Sequence, residues 1–431
     1  MNFDLPADLV AYLAKLDAFI ESEITPLEQA DDNIRFFDHR REFARTDFEN
    51  QGLPRPEWED LLRQARRRAD AAGIFRFSAP KRYGGSDGSN LWMAVIREHL
   101  AAKGLGLHND LQNEHSIVGN FPFVAMFENF GTEAQREEFI HGGFNGTRRT
   151  AFALTEPDHG SDATFMKARA VRETRDGKSG WRINGEKMWT TGMHIASHAL
   201  TLARTAGKDG EARGISAFLV PRDAPGLKIE EYLWTFNMPT DHPRMSYADV
   251  WVADNTILGE EGLGLAVAQS FVHQNRIRQA ASSLGAASFC VNETIAYARQ
   301  RTTFGVDLAQ NQAIQWPIVE LSTQIEMLRQ LIRKTAWEMD SIPHKEIEHR
   351  LSDKVSMCNY WSNRLVCEAA DRAIQIHGAI GYSRHKPFEH IYRHHRRYRI
   401  TEGSEEIQMR KVAAYLFGYA GPNKRRSASP S

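Results

Sequence analysis

Two stretches decide how this chain reads: Ala151-Phe-Ala-Leu-Thr-Glu-Pro-Asp-His-Gly-Ser-Asp-Ala163 and Ile183-Asn-Gly-Glu-Lys-Met-Trp-Thr-Thr-Gly192. The first offers the Thr155 hydroxyl, a turn-forming Glu156-Pro157 and a small Gly160-Ser161 pair where backbone can approach a flat ligand. The second reads as an Asn184-Gly185 hairpin whose outgoing strand presents Trp189 with Thr190 and Thr191 beside it. An indole face flanked by hydroxyls suits stacking on a flat, partly polar ring system better than it suits solvent.

Around these stretches the pattern is strand-like. Segments 150–154, 181–183, 188–191, 198–203, 215–220 and 247–252 are short and separated by Gly, Asp and Pro. They predict a small antiparallel β-domain over 148–258. On either side the period is helical. Leu9, Val10, Leu13, Leu16, Phe19, Ile20 and Ile24 recur at three- and four-residue spacing until Pro26, which predicts a stop. Thr132-Glu-Ala-Gln135 reads as a capping box. Helical periodicity returns over 262–418, where Ser282, Ser283, Gly285, Ala286 and Ala287 would let two helices pack closely. The division is therefore 1–147 helical, 148–258 β, 259–419 helical, and a tail over 420–431 expected to be disordered. Strands clustered centrally, rather than alternating with helices, argue for a mostly α, α+β class and against a doubly wound sheet.

Composition narrows the function classes. The chain has 431 residues, 42% apolar and 25% charged, with a net charge of −1. That balance makes no overall electrostatic case for nucleic acid or a membrane surface. Three cysteines are too few for a disulfide framework and lack metal spacing, and no apolar run suits a membrane span. The opening Met1-Asn-Phe-Asp-Leu-Pro lacks the basic and apolar regions of a signal peptide, so a reducing cytoplasm is expected.

The two stretches and the α–β–α order resemble the acyl-CoA dehydrogenase family over roughly residues 55–418. The resemblance implies an N-terminal helical domain, a middle antiparallel β-barrel, a C-terminal four-helix bundle and FAD bound without a Gly-rich nucleotide motif. It places Thr155 at the flavin edge, Phe152 and Leu154 along it, and Gly160 and Ser161 near the pyrophosphate and substrate. Trp189 would stack on the isoalloxazine and Thr191 would reach its N5 side. Arg299-Gln-Arg-Thr-Thr-Phe-Gly305 and Asn311-Gln-Ala-Ile-Gln315 resemble family signatures in which Arg301, Phe304 and Gln312 reach the FAD of a neighbouring subunit. Guanidinium binding phosphate oxygens bidentately makes chemical sense of Arg301. Gln375-Ile-His-Gly-Ala-Ile-Gly-Tyr382 resembles another such stretch, with Gln375 and Gly378 approaching the partner's cofactor. These likenesses imply at least a dimer, because two chains complete each FAD, with a dimer of dimers (homotetramer) as the expected homo-oligomer.

Desaturation of an acyl-CoA thioester needs a carboxylate base in a water-poor slot, where burial strengthens it. Tyr398-Arg-Ile-Thr-Glu-Gly-Ser-Glu-Glu-Ile-Gln408 resembles the family stretch that carries the catalytic base, which falls on Glu402. The likeness gives Gly403 a close approach to substrate, the Glu402 N–H to the thioester oxygen, and Ser404 and Glu406 to the adenosine side of the cofactor. Arg276 matches an Arg of the substrate-binding helix. Some relatives carry the base just before that Arg, where this chain has Asn275.

The implied activity is that of an FAD-dependent acyl-CoA dehydrogenase in fatty acid metabolism, passing electrons to an electron-transfer flavoprotein. An acyl-CoA oxidase or flavin monooxygenase uses the same scaffold, though monooxygenases generally lack the Glu402 equivalent. A non-catalytic scaffold protein is disfavoured by Trp189, Arg301 and Glu402. The chain departs from the family at Asp158-His159, His273 and His394, which suggests a polar, branched or cyclic acyl group. The run His390–Arg399 is unusually basic and reads first as a solvated helix face, second as a positive field for an anionic ligand.

Overall fold

The computed structural model describes residues 4–110, 112 and 114–424. Its principal helices are α1 (Ala7–Phe19), α2 (Pro56–Ala71), α3 (Asn90–Ala102), α4 (Pro122–Phe130), α5 (Glu133–Asn145), α6 (Gly264–Gln269), α7 (Val272–Gln300), α8 (Gln312–Asp340), α9 (His344–His377), α10 (Phe388–Tyr398) and α11 (Glu405–Leu416). The main strands are β1 (Thr150–Ala153), β2 (Arg169–Arg175), β3 (Lys178–Met188), β4 (His198–Arg204), β5 (Ile215–Pro221), β6 (Leu227–Tyr232) and β7 (Pro243–Ala253). The chain forms two compact units: a helical one of Met1–Ala44, Glu57–Asn120 and His273–Ser431, and a sheet-bearing one of Arg45–Pro56 and Phe121–Val272.

In the helical unit, Leu16 and Phe19 of α1 pack with Trp58, Leu61, Leu62 and Ala65 of α2, following the predicted apolar spacing. The predicted stop at Pro26 is instead a restart. α1 runs through a π-turn at Ile20–Ile24 into a short helix, Thr25–Gln29, with Pro26 in its first turn. A first-turn proline forfeits no intrahelical hydrogen bond. α7, α8 and α9 share one apolar core that includes Leu284, Cys290, Ile325, Ile332, Leu365 and Val366. The small-residue stripe does bring backbones together: a Cβ on Gly285 would lie 2.2 Å from the Glu98 carbonyl oxygen of α3. Asp340 at the end of α8 caps α3, accepting from Asn90 N at 2.8 Å and Leu91 N at 2.9 Å. Residues 425–431 of the expected tail lie outside the described residues.

In the sheet unit, the class is as expected, but the sheet is mixed and open rather than an antiparallel barrel. β5 pairs antiparallel with β4 along its whole length. The other edge of β4 is shared by β1, which is parallel to it from Thr150↔His198 to Ala153↔Thr201, and by β2 at Arg169↔Arg204. From β2 the sheet continues through β3 and β7 to β6. Among the described residues β5 and β6 do not pair, so the sheet does not close. A parallel β1–β4 pair needs a long crossover, and the β2–β3 hairpin supplies it.

The hairpin turn itself is Asp176-Gly177, with φ of 51° and 73°, joining Arg175 to Lys178. Asn184-Gly185, predicted as the turn, lies inside β3 as a bulge opposite β7. Gly185 takes φ 143°, and a Cβ there would meet Ala168 Cα at 2.7 Å. The Asn184 amide, rather than shaping a turn, brackets Asp249: Oδ1 accepts from its N–H at 2.9 Å and Nδ2 donates to its carboxylate at 3.0 Å. The predicted strand 188–191 likewise ends at Met188. Strands β2 and β6 escaped the sequence reading because they lie mainly on sheet edges and carry charge rather than alternating apolar residues.

Two further local features place the unit's ends. The capping box is present in full, with Thr132 Oγ1 accepting from Gln135 N and Gln135 Oε1 from Thr132 N. Residues 45–56 join the sheet unit through Trp234 Nε1, which donates to Gln51 O at 2.8 Å, and Thr240 N, which donates to Gly52 O at 2.8 Å.

Candidate active site

Within the sheet unit the two opening stretches are tied to each other. Met188 N donates to Thr155 O at 2.8 Å. The Lys187 ammonium, fully buried, donates to Glu156 Oε1 at 2.9 Å and to Leu154 O at 3.0 Å. Glu156 also accepts from Lys167 N at 2.5 Å and Ala168 N at 2.9 Å. Burial pushes the Glu156 carboxyl up, but the ammonium and the backbone donors outweigh it and hold it below the usual carboxylate range.

This clamp ends β3 one residue before Trp189, which takes a left-handed φ of 60°. A bulky residue seldom adopts that conformation without a reason in its surroundings. The result is an indole 47% exposed between the wholly buried Lys187 and Thr190. Thr191 N turns back to Trp189 O at 2.9 Å, and Thr191 Oγ1 lies 2.9 Å from His242 Nδ1. His242 is a neighbour of Trp189 and Thr191 that carries no sequence signal. Among the described residues, Thr190 Oγ1 is buried with no hydrogen-bond partner. Phe152 packs edge-on against Phe271 at 5.5 Å, and Leu154 and Thr155 are half-buried. Gly160 and Ser161 are exposed, and a Cβ on Gly160 would meet only Thr155 Cγ2 at 3.7 Å. In the divergent turn, His159 folds back on Asp162 at 3.0 Å while Asp158 faces solvent.

Within the helical unit Glu402 lies in the turn between α10 and α11, half-buried, with φ 56°; Gly403 follows at φ 87°. The turn is braced on every side. Arg276, buried in α7, donates from Nε at 3.0 Å and Nη2 at 2.6 Å to Glu402 O. Gln408 Nε2 donates to Gly403 O at 2.8 Å and to Asn359 Oδ1 at 2.9 Å. Asn359 Nδ2 in turn donates to Arg276 O at 2.9 Å. A Cβ on Gly403 would lie 2.9 Å from Arg276 Nη2, so the brace requires glycine. The Glu402 N–H has no hydrogen-bond acceptor among the described residues. Burial pushes the Glu402 carboxyl up; the Glu114 charge adds to this, and Arg276, Arg278 and an Asn275 hydrogen bond oppose it.

Arg301, Phe304, Gln312, Gln375 and Gly378 lie apart from that turn on exposed positions, whereas half-buried Ser404 follows Gly403 directly. Arg301 precedes a small hairpin, Thr302–Thr303 with Val306–Asp307, whose tip is Phe304, fully exposed at φ 51°. Gln312 opens α8 behind the Asn311 cap. Gln375 is in the last turn of α9, which Gly378 ends at φ 65°. Ser404 is the N-cap residue of α11 and Glu406 is exposed, whereas Glu405 is the engaged carboxylate, 2.8 Å from Arg399 Nε and 3.0 Å from Arg364 Nε.

The basic run is neither a solvated face nor an open positive field. His390, His394 and His395 are buried. Arg393 pairs with Glu42 at 3.2 Å and Arg397 with Glu114 at 3.0 Å. Burial pulls the His395 imidazole down to about 3 and His394 well below its usual range, so both are neutral. Of the other departures, His273 Nε2 meets Glu348 at 2.9 Å. Glu114, which no motif marks, bridges Arg278 at 2.9 Å and Arg397 at 3.0 Å.

Comparison with known proteins addresses all three parts of the chain. Family models for the N-terminal, middle and C-terminal domains of acyl-CoA dehydrogenases match residues 30–147, 151–249 and 262–417. A 3-(aryl)acrylate reductase of Clostridium sporogenes is 31% identical over 349 residues, 80% of this chain and 87% of the relative. The caffeyl-CoA reductase-Etf complex subunit CarC of Acetobacterium woodii is 30% identical over 347 residues, again 80% and 87%. The glutaryl-coenzyme A dehydrogenase structure with glutaryl-CoA superposes with a TM-score of 0.76 at 25% identity, covering 100% of both chains. Among the described residues no helix is long and apolar enough to cross a membrane.

Proposed function

The chain belongs to the acyl-CoA dehydrogenase family, and from that premise we propose that it desaturates an acyl-CoA thioester between the α and β carbons, with FAD as cofactor and Glu402 as base. The observation that carries this reading is the Glu402 turn. A carboxylate with a pKa raised by burial is held in a left-handed conformation by Arg276, next to an N–H with no protein acceptor. A base of this kind takes the α-proton onto a carboxylate oxygen, while the adjacent N–H meets the thioester oxygen on which negative charge develops. FAD, when bound, accepts the β-hydrogen as hydride.

The residues present fit that cofactor. Trp189 offers an indole face on a strained backbone, Thr190 Oγ1 is a buried oxygen with no protein partner, and Gly160 leaves room for close approach. Trp189, Thr191, Thr155, Phe152 and Leu154 would hold the ring, and Gly160 and Ser161 the pyrophosphate side. Arg301, Phe304, Gln312, Gln375, Gly378, Ser404 and Glu406 would serve the cofactor of a second copy in a homotetramer. Full exposure of an apolar Phe304 ring supports that role. We further propose functional domains divided at 147/148 and 258/259, an electron-transfer flavoprotein as acceptor, and a cytoplasmic location.

The two relatives described above are named for reduction, which favours a second reading: the same groups working in reverse, with Glu402 donating its proton to the α-carbon of an enoyl thioester whose β-carbon takes the hydride that reduced FAD would supply. Anaerobic titration of the yellow, oxidised protein with a panel of acyl-CoAs, and of the dithionite-reduced protein with enoyl-CoAs, tests both. Bleaching of the flavin by an acyl-CoA, abolished in Glu402→Gln, is the expected result. A flavin that no saturated thioester bleaches removes the dehydrogenase reading.

A further inference from the structure

The carboxylate of Glu402 is approached by one side-chain amide whose own orientation is set by another. Asn275, buried beside Arg276 on α7, donates from Nδ2 to Glu402 Oε1 at 3.4 Å. Its Oδ1 is taken by Asn120 Nδ2 at 2.8 Å. Asn120 closes a loop that is anchored up to its last residues: Arg97 Nη2 donates to Val118 O at 2.6 Å and Gly119 N to Phe75 O at 2.8 Å. α7 is itself held to α9 by the Asn359 bond to Arg276 O. With its oxygen committed to Asn120, Asn275 presents its NH₂ group to the carboxylate.

Resting on the reading of Glu402 as base, we propose that Asn275, held by Asn120, is a positioning residue that aims the Glu402 carboxylate and keeps it in its proton-accepting form. An N–H donor binds a carboxylate oxygen more strongly than it binds a carboxylic acid, so the contact favours the ionised state. It also commits Oε1 and leaves Oε2 to receive the proton. The charged groups facing Glu402 pull in both directions. Arg276 and Arg278, from α7, favour ionisation, and Glu114, from the loop ending at Asn120, opposes it. The residues that brace the turn from α9 and α11, Asn359 and Gln408, do not titrate. Asn275 is the group in this set that touches the carboxylate itself without bringing a charge of its own. A leucine would fill the same volume and give neither effect.

The test compares Asn275→Leu, Asn275→Asp and Asn120→Leu with the parent holoenzyme, reading kcat/KM against pH. Asn275→Leu should move the acidic limb up by about one pH unit, since one charge-assisted hydrogen bond is lost. Activity should fall about tenfold below the limb and recover toward the parent value above it, with flavin absorbance and Tm retained. Asn275→Asp, which adds a like charge, should move the limb further, and Asn120→Leu should move it less in the same direction. The double Leu variant should match Asn275→Leu alone. An unmoved limb, or a uniform loss at every pH, overturns the proposal. If Asn275→Leu fails to fold, the limb of Asn120→Leu decides alone. Normal turnover in Glu402→Gln would instead remove the base assignment, an outcome separate from any position of the limb.

Discussion

Lys187 and Glu156, 31 residues apart in sequence, form a wholly buried ion pair of 2.9 Å, and on it depends the register between the two stretches of the proposed flavin platform. Removing Lys187 leaves the Glu156 carboxylate buried with no countercharge, held only by the Lys167 and Ala168 N–H groups. Lys187→Met should therefore destabilise the fold by about 3–5 kcal/mol, more than a surface lysine change. Lys187→Met/Glu156→Gln should recover part of that loss. Urea denaturation of the parent and the two variants measures it; equal midpoints for the parent and Lys187→Met would contradict the role given to the pair.

Glu402→Gln should keep the fold and the yellow colour while lowering kcat by about 10²–10⁴, the range one positioned general base supplies. Because burial raises the Glu402 pKa, activity in the parent should rise with pH through a limb above the usual carboxylate value. Stopped-flow flavin reduction over a pH series reads both effects.

Gly403→Ala should fail in a different way. It combines a φ of 87° with a Cβ 2.9 Å from Arg276 Nη2, so the side chain and the brace cannot both stay. The expected cost is about 1–3 kcal/mol. Turnover should fall while flavin affinity is kept, and thermal melts beside flavin titrations separate the two.

Stability should decline in mild acid because of the buried histidines of α10. His394 and His395 are neutral in the fold, with pKa values pulled far below that of a free imidazole by burial first and by Arg397 second. Between pH ~6.5 and ~3 the unfolded chain binds protons that the folded chain refuses, so stability falls as pH falls, by up to about 1.4 kcal/mol per unit for each group. A urea midpoint unchanged between pH 7 and pH 5 would refute this. Glu114, held at about 2 by Arg278 and Arg397 against its own burial, adds to the loss only at lower pH, from ~4.5 downward.

How much of this is legible in the sequence depends on how local each interaction is. The Thr132 capping box rests on contacts within three residues and is where the sequence puts it, whereas the helix predicted to stop at Pro26 restarts there. The two Xaa-Gly pairs of the sheet show the limit. Asp176-Gly177 and Asn184-Gly185 are nearly interchangeable as turn signals, yet one is the turn and the other a bulge. The pairing partner across the sheet decides between them.

The sequence alone therefore determined the class of the fold and the order of its helical and β segments, because periodicity, capping and turn residues act over one or two turns of chain. Only the tertiary structure decided that the histidines of the basic run are buried and neutral, that Arg276 braces the Glu402 backbone, and that Asn275 touches its carboxylate. Those outcomes depend on desolvation and on partners 126 and 127 residues away in the chain, and no local pattern records what will stand opposite a side chain once the helices have packed.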